Sequence, residues 1–199
     1  EVKKDAKSFL YAGCKISSLR LNFSQGAPLE ASVSVLGKVM TDATPGTALV
    51  LTEGNMAVVT NATITWNGVS QKVLSGDITY QNPLMEPRVT DSIYTLEPQR
   101  NGHTTVGGSL RVFFEDIALW SNFMNMQQYA LVLTFTGAVI AGAYNYDLQL
   151  TLPIGEMTDV AVPSNGEGPI VQDISIEGFL DGANTNAVTA RLTNTNSAS

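Results

Sequence analysis

One cysteine, Cys14, and one histidine, His103, stand in a chain of 199 residues. A lone cysteine excludes an intrachain disulfide, so no covalent staple holds this fold. Small secreted domains often depend on such staples, and their absence favours synthesis in a reducing compartment. A lone histidine with no cysteine nearby does not make the usual transition-metal cluster. His103 sits in the polar run Asn101-Gly102-His103-Thr104-Thr105. Counting residues does not exclude a Ser-His-Asp triad, but no nucleophile motif supports one. Long apolar runs are missing too. The most apolar stretch, Ala130 to Tyr144, is too short and too broken by Thr and Gly to span a bilayer. The opening Glu1-Val-Lys-Lys-Asp is not expected to be a signal peptide, and upstream residues could have been removed before it.

Positive charge is scarce and unevenly placed. Six of the 11 basic residues lie in the first 38 positions, and none lies between Arg111 and Arg191. That basic-free stretch carries nine acids: Glu115, Asp116, Asp147, Glu156, Asp159, Glu167, Asp173, Glu177 and Asp181. The net charge of −7 disfavours tight binding to nucleic-acid phosphates, which needs Lys and Arg to displace counterions. Copies of such a chain can pair basic faces with acidic ones, and a solvated acidic surface explains the pattern equally well. A hydrophobic fraction of 44% against 15% charged describes a folded chain with a rather neutral surface. The length suits one domain, residues 1–199, burying roughly 70% of its unfolded surface.

Strand patterns dominate. Ile16 to Phe23 alternates, with Leu19, Leu21 and Phe23 on one face; Ser24-Gln25-Gly26 is a turn. Leu29 to Val39 returns as a strand with Ala31, Val33 and Val35 on one face, so a hairpin opens the domain. A loop at Thr41 to Gly46 and a short strand at Ala48 to Leu51 follow. Asn67-Gly68 suits a type I′ turn, which pairs Ile64 and Trp66 with Val69 and Val73. Ser75 to Gln81 is a strand with Ile78 and Tyr80 on one face.

The irregular stretch 82–103, interrupted by Pro83, Pro87 and Pro98, is expected to be a long loop excursion. Leu84, Met85, Arg88, Ile93 and Tyr94 are its candidates for contact with a neighbouring subunit, since the apolar ones are costly to leave in water. A mobile surface loop is the competing reading.

From Val106 the chain alternates again, with Leu110, Val112 and Phe114 on one face. The period then changes. Ile117, Trp120, Phe123 and Met124 fall at helical spacing with Asp116 in the N-cap place, predicting a short helix over about 116–127 packed on the core. Truncating Trp120 in such a setting would cost about 3–5 kcal/mol. Tyr129 to Phe135 is a strand, and Gly137 to Gly142 a small-residue connection. Tyr144 to Leu152 alternates cleanly, and Pro153 is expected to end it. Val171 to Leu180, a turn at Asp181-Gly182 and Ala187 to Thr193 form a last hairpin, before a frayed polar tail.

Nothing here forms a catalytic constellation. Glu115-Asp116 face different ways at a strand-to-helix junction, with Asp116 as the helix cap. Gly107-Gly108-Ser109 lacks the Gly-Lys-Ser/Thr ending of a phosphate cradle. Asp173, Glu177 and Asp181 match no calcium-loop spacing. Asn22-Phe23-Ser24 and Asn61-Ala62-Thr63 fit a glycosylation pattern short enough to arise by chance.

Three segments carry a family resemblance. They are Gly108-Ser-Leu-Arg-Val-Phe-Phe-Glu-Asp116 with Leu119-Trp-Ser-Asn-Phe123, then Leu150-Thr-Leu-Pro153, then Gly168-Pro-Ile-Val-Gln-Asp-Ile-Ser-Ile-Glu-Gly-Phe-Leu-Asp181. With the opening Gly13-Cys-Lys-Ile-Ser-Ser-Leu-Arg-Leu21 and Glu30-Ala-Ser-Val-Ser-Val-Leu-Gly-Lys38, the order resembles the major tail tube proteins of long, non-contractile (siphovirus-type) phage tails. The middle, about 41–100, matches least. The resemblance implies a mainly β fold, a β-sandwich or barrel with one short flanking α-helix. It implies no enzyme, no cofactor, no metal and no membrane, but a virion protein made in the host bacterial cytoplasm. Its partners would be itself, in six-fold rings stacked into a tube; the tape measure protein in the lumen; tail tip and terminator proteins; and duplex DNA passing at ejection without specific binding. A negative lumen would let DNA slide.

Two other classes compete. A monomeric carbohydrate-binding or adhesin-type β-sandwich would use exposed aromatics, with Trp66, Trp120, Tyr144 and Tyr146 as candidates, although core packing explains them more cheaply. The tube subunit of a contractile injection machine would share the fold and add a sheath-binding surface.

Overall fold

The computed structural model describes residues 2–4, 7–43, 62–88, 90, 96–142, 144–163, 169–180 and 186–194. The expected strand at Ala48 to Leu51, the Asp181-Gly182 turn and the end of the tail lie outside them. In chain order the elements open with β1 (Val2–Lys4), β2 (Lys7–Ala12), β3 (Lys15–Ser24), β4 (Glu30–Leu36) and β5 (Val39–Ala43). Next come β6 (Ala62–Trp66), β7 (Val69–Gln71), β8 (Val73–Gln81), β9 (Leu84–Met85) and β10 (Gln99–Arg100). The chain then runs through β11 (Thr105–Phe113), α1 (Ala118–Met124), β12 (Gln128–Ala141), β13 (Tyr144–Ala161), β14 (Val171–Phe179) and β15 (Thr189–Thr193). The protein is mainly β, with one short helix among the described residues, as the sequence predicts.

The chain divides into two compact units. The smaller comprises residues 1–19, 32–54 and 80–104; the larger comprises 20–31, 55–79 and 105–199. In the smaller, β1, β2 and β5 form an antiparallel sheet in which Phe9 faces Val2 on one side and Asp42 on the other. Within 82–103, β9 and β10 pair antiparallel, Met85 with Gln99 and Leu84 with Arg100, and the Asn101 N–H donates to the Pro83 carbonyl at 2.8 Å. That excursion is therefore partly laddered instead of a plain loop.

The large sheet has the order β4-β3-β8-β11-β14-β13-β12-β6-β7, with β15 also on β13. Its core belongs to the larger unit: Phe23, Trp66, Leu110, Leu131, Phe135, Leu152 and Ile174 are all buried. Phe23 on β3 meets Phe135 on β12 edge to face, centroids 5.3 Å apart. These strands are far apart in the sheet order, so the sheet curls until its inner faces meet, as in a sandwich or barrel. Trp66 adds an edge-to-face contact with Tyr129 and packs over Gly155.

The Asn67-Gly68 turn has positive φ at both residues, 51° and 75°, as a type I′ turn demands. A two-residue turn fixes the register, so Trp66 pairs with Val69 and Ile64 with Gln71, not with Val73. Val73 instead opens β8.

Four further expectations are corrected. Pro153 does not end its strand; β13 runs on to Ala161. Pro153 falls between two partners on one edge, after Thr151↔Thr189 of β15 and before Ile154↔Phe179 of β14. On the other edge it falls in the register shift between Leu131 and Tyr129. No ladder bond is required of its missing N–H at such a place. Gly137 to Gly142 is not a connection either: β12 continues through irregular pairing to Ala141, and Gly142 (φ 57°) turns the chain. β14 and β15 do not form a hairpin; both lie antiparallel to β13, end to end along one of its edges.

The fourth correction concerns the helix. It spans Ala118–Met124, inside the predicted limits, but the N-cap residue is Ile117 and not Asp116, whose Oδ1 instead accepts from the Ala118 N–H at 2.8 Å, one residue before the cap. Leu119 is its buried residue. Ile117 (65% exposed), Trp120 (37%) and Met124 (60%) form an outward ridge instead. With only seven residues, about two turns, a single buried side chain serves the packing against β13, and the apolar majority is left outside.

Candidate assembly surfaces

The outer face of the large sheet is polar and acid-rich. Register places Ser175 of β14 between Ser109 of β11 and Asp159 of β13. One step along, Asp173 lies between Arg111 and Ala161; one step back, Glu177 lies between Gly107 and Glu156. Glu156 is opposite Gln128, whose Nε2 donates to Glu156 Oε2 at 2.8 Å. On the β8 side, Ser109 Oγ donates to Asp77 Oδ1 at 2.6 Å, and Arg20 Nε lies 3.3 Å from Asp77 Oδ2. From β3 through β8, β11 and β14 to residues 156–159 of β13, the face thus presents five carboxylates, Asp77, Glu156, Asp159, Asp173 and Glu177, against the two guanidiniums of Arg20 and Arg111; farther along β13 the same face adds Asp147 and, on β15, Arg191.

The charge budget follows the same division. The larger unit carries 11 acidic and four basic residues, so the whole net charge of −7 falls there, while the smaller has seven of each. Three of the larger unit's four cations are held by its own acids: Arg20 by Asp77, Lys72 by Glu115, and Arg111 by Asp173 at 3.7 Å.

Apolar groups are exposed at other places. Ile117, Trp120, Met124 and Met126 project around the helix, and Met126 holds a positive φ of 50°, unusual for a side chain of its size. The end of the β12–β13 hairpin, beyond Phe135 on one edge and Asp147 on the other, has no flanking strand among the described residues. Val139 (63% exposed) and Tyr144 (72%) stand out from it. At the sheet's ends lie β4, with Val33 and Val35 exposed, and the three-residue β7.

Of the predicted contact residues, Leu84 and Met85 form β9, half-buried and exposed respectively, and Arg88 is exposed. Ile93 and Tyr94 lie outside the described residues. Lys15 Nζ reaches Glu97 Oε1 and the Pro98 carbonyl, each at 2.8 Å. The hydrogen bond and charge of Lys15 hold the Glu97 carboxyl below its ordinary 4.5.

The proposed sugar-binding aromatics do not form one platform. Trp66 is buried; Trp120 tilts against Phe123; Tyr144 is exposed on the hairpin end. His103 is exposed. Among the described residues no three His, Cys, Asp or Glu are placed to hold a metal, and no helix is long and apolar enough to cross a membrane.

The described residues thus make a curled antiparallel sheet with one acid-rich face and with apolar groups exposed at its edges and around its helix. The sequence matches the phage tail tube protein family over residues 2–178, and the chain belongs to that family. It is a structural component of the virion tail. No curated protein matches the chain significantly.

Proposed function

We propose that this chain is the repeating subunit of a siphovirus-type tail tube, closed into six-fold rings that stack around a lumen for duplex DNA. The observation that carries this reading is the acid-rich stretch of the sheet face from β3 to residues 156–159 of β13, on which five carboxylates meet two guanidiniums. Turned inward and repeated six times, it would line the channel with negative charge, and phosphates would be repelled from the wall instead of caught on it. Ring closure would also cover β4 and β7, whose outer edges otherwise invite uncontrolled pairing. The tape measure protein would occupy the lumen before DNA does, and tail tip and terminator proteins would close the ends. Leu84, Met85 and Arg88 would reach an adjacent ring. The chain would be made in the host cytoplasm and would need no cofactor.

Negative-stain electron microscopy of the concentrated protein, with light scattering, tests the reading. Rings or hollow tubes of uniform width are expected, spontaneously or on adding a tail-tip complex. A species that stays monomeric in both conditions overturns it. Met85→Asp with Arg88→Glu is expected to leave rings intact and prevent stacking; normal tubes from that variant would remove 82–103 from the ring contact.

A further inference from the structure

Helix α1 ends on a residue that its backbone does not favour. The Gln127 N–H donates to the Asn122 carbonyl at 2.9 Å, and the Met126 N–H to the Phe123 carbonyl at 3.0 Å. These two bonds make a Schellman turn, with Asn125 as the C-cap and Met126 after it in the left-handed region, at φ 50°. Glycine is the usual occupant of that position, because a Cβ is strained there. The methionine that stands in its place is 77% exposed, so packing within the subunit does little to offset the strain. Ile117, Trp120 and Met124, three and four residues apart, lie along one side of the same helix and are exposed too. Strain and exposure meet in one apolar patch.

We propose that this patch receives the end of the β9–β10 ribbon of a second copy of the chain, and that Met126 is kept in its strained place for that contact. The inference rests on the tube reading and names what Met85 and Arg88 meet in the adjacent ring. Charge selects the partner surface. The patch belongs to the unit that carries the whole net charge of −7; Asp116 adjoins it, and no basic residue lies between Arg111 and Arg191. Two such patches face to face would bring like charges together, which opposes a two-fold contact. A surface with an unengaged cation is favoured instead. In the smaller unit Lys15, Lys38 and Arg100 already have partners. Arg88 is exposed and has none, and the exposed Glu86 beside it makes no ion pair with it. Met85 (43% exposed) and Leu96 (38%) accompany Arg88. The Leu96 N–H, donating to the Pro87 carbonyl at 2.9 Å, draws the two arms of the ribbon together at this end. Bonds from Asn82 to the Ser17 and Ile16 carbonyls, and from Lys15 to the Pro98 carbonyl, tie the ribbon to β3, so its groups are held ready for a partner. Met, Trp and Arg are the residues that interface centres concentrate, and a guanidinium stacks well on an indole such as that of Trp120.

Two measurements test it. Met126→Gly removes the strain, so the soluble subunit should melt roughly 2–4 °C higher, while self-association followed by light scattering should weaken about fivefold or more. A melting temperature at or below that of wild type, or unchanged self-association, overturns the role given to Met126. For the partner surface, all chains carry Cys14→Ser, and a Met126→Cys protein is mixed with a Met85→Cys protein under mild oxidation. Both replaced side chains are exposed, so the fold does not depend on them. Mixed disulfide dimers should form about tenfold faster than dimers in either protein alone, because the contact raises the local thiol concentration. Mixed dimers forming no faster overturn the contact. Mixed dimers without any tube would count against the tube reading alone, and tubes without mixed dimers would overturn this contact alone. Where wild type forms no tubes, the mixed disulfides decide.

Discussion

Gly108→Ala isolates the closest backbone approach in the sheet. A Cβ built on Gly108 would lie 2.0 Å from the Asp77 carbonyl oxygen and 2.9 Å from Ile78 Cδ1. The facing strand has the reciprocal feature: a Cβ on Gly76 would lie 2.6 Å from the Ser109 carbonyl oxygen. Real Cβ atoms essentially never come under 3.0 Å, so β8 and β11 would have to part by about 1 Å. The obstacle is main chain, and no rotamer relieves it. Overpacking of this kind costs about 1–3 kcal/mol, and each ladder bond stretched by the separation adds about 1 kcal/mol. A total of about 2–4 kcal/mol should lower the melting temperature by roughly 4–16 °C in a chain of this size. Gly26→Ala is the control. Nothing lies within 4 Å of its Cβ, and only the positive φ of 77° is strained, at about 1–2 kcal/mol. Thermal unfolding followed by circular dichroism compares the two. Gly108→Ala melting no lower than Gly26→Ala would refute the close-approach argument.

The two tryptophans should separate stability from assembly. Trp66→Ala, at 3% exposure, should cost about 3–5 kcal/mol, whereas Trp120→Ala, at 37%, should cost about 1 kcal/mol and impair self-association; equal melting shifts would contradict this assignment. Glu97 has a lowered folded pKa, so its contribution is complete above its unfolded value near 4.5 and is lost as pH falls through the lowered folded value. Lys15→Met should therefore flatten a small acid-side slope of stability that high salt also removes, and an unchanged acid limb would deny the link. Glu156→Lys with Glu177→Lys should leave tubes intact and slow DNA release from reconstituted tails; unaltered release kinetics would count against an electrostatic lining.

Features with local causes were legible in the sequence. Asn67-Gly68 declares its turn because few other dipeptides tolerate two positive φ angles, and Leu21 and Phe23 declare an inward face by period two. Features decided by partners were not. Pro153 reads as a stop in any single strand, and becomes tolerable only because β15 ends and β14 begins on either side of it. Thr189–Thr193 reads as the return arm of a hairpin, yet the free edge of an 18-residue β13 takes it instead. The α1 ridge reads as inward because apolar periodicity has no sign: the same spacing fits a helix packed by Ile117, Trp120 and Met124 or one packed by Leu119. Trp66 was legible as buried, but a cleft beside the helix that Trp66 and Gln172 both line joins residues more than a hundred positions apart, and no spacing rule spans that distance.

The acidic face is the place where the sequence acts against the stability of the isolated subunit. Glu156 and Glu177 are directly opposite on adjacent strands, and like charges so placed are destabilising. The relief visible at this spot is the neutral Gln128 amide on Glu156. Elsewhere the same sheet disposes its charges well: Arg111 faces Asp173 in register, and Arg20 and Ser109 both serve Asp77. A sheet able to pair charges at two positions and leaving them opposed at a third points to a use for the opposed pair. Local rules broken amid rules obeyed are where function is expected. In the proposed tube that use would be the absence of a foothold for phosphate, and its cost would rise with six copies bringing their carboxylates around one axis, so apolar contacts between copies would have to supply what the lining takes away.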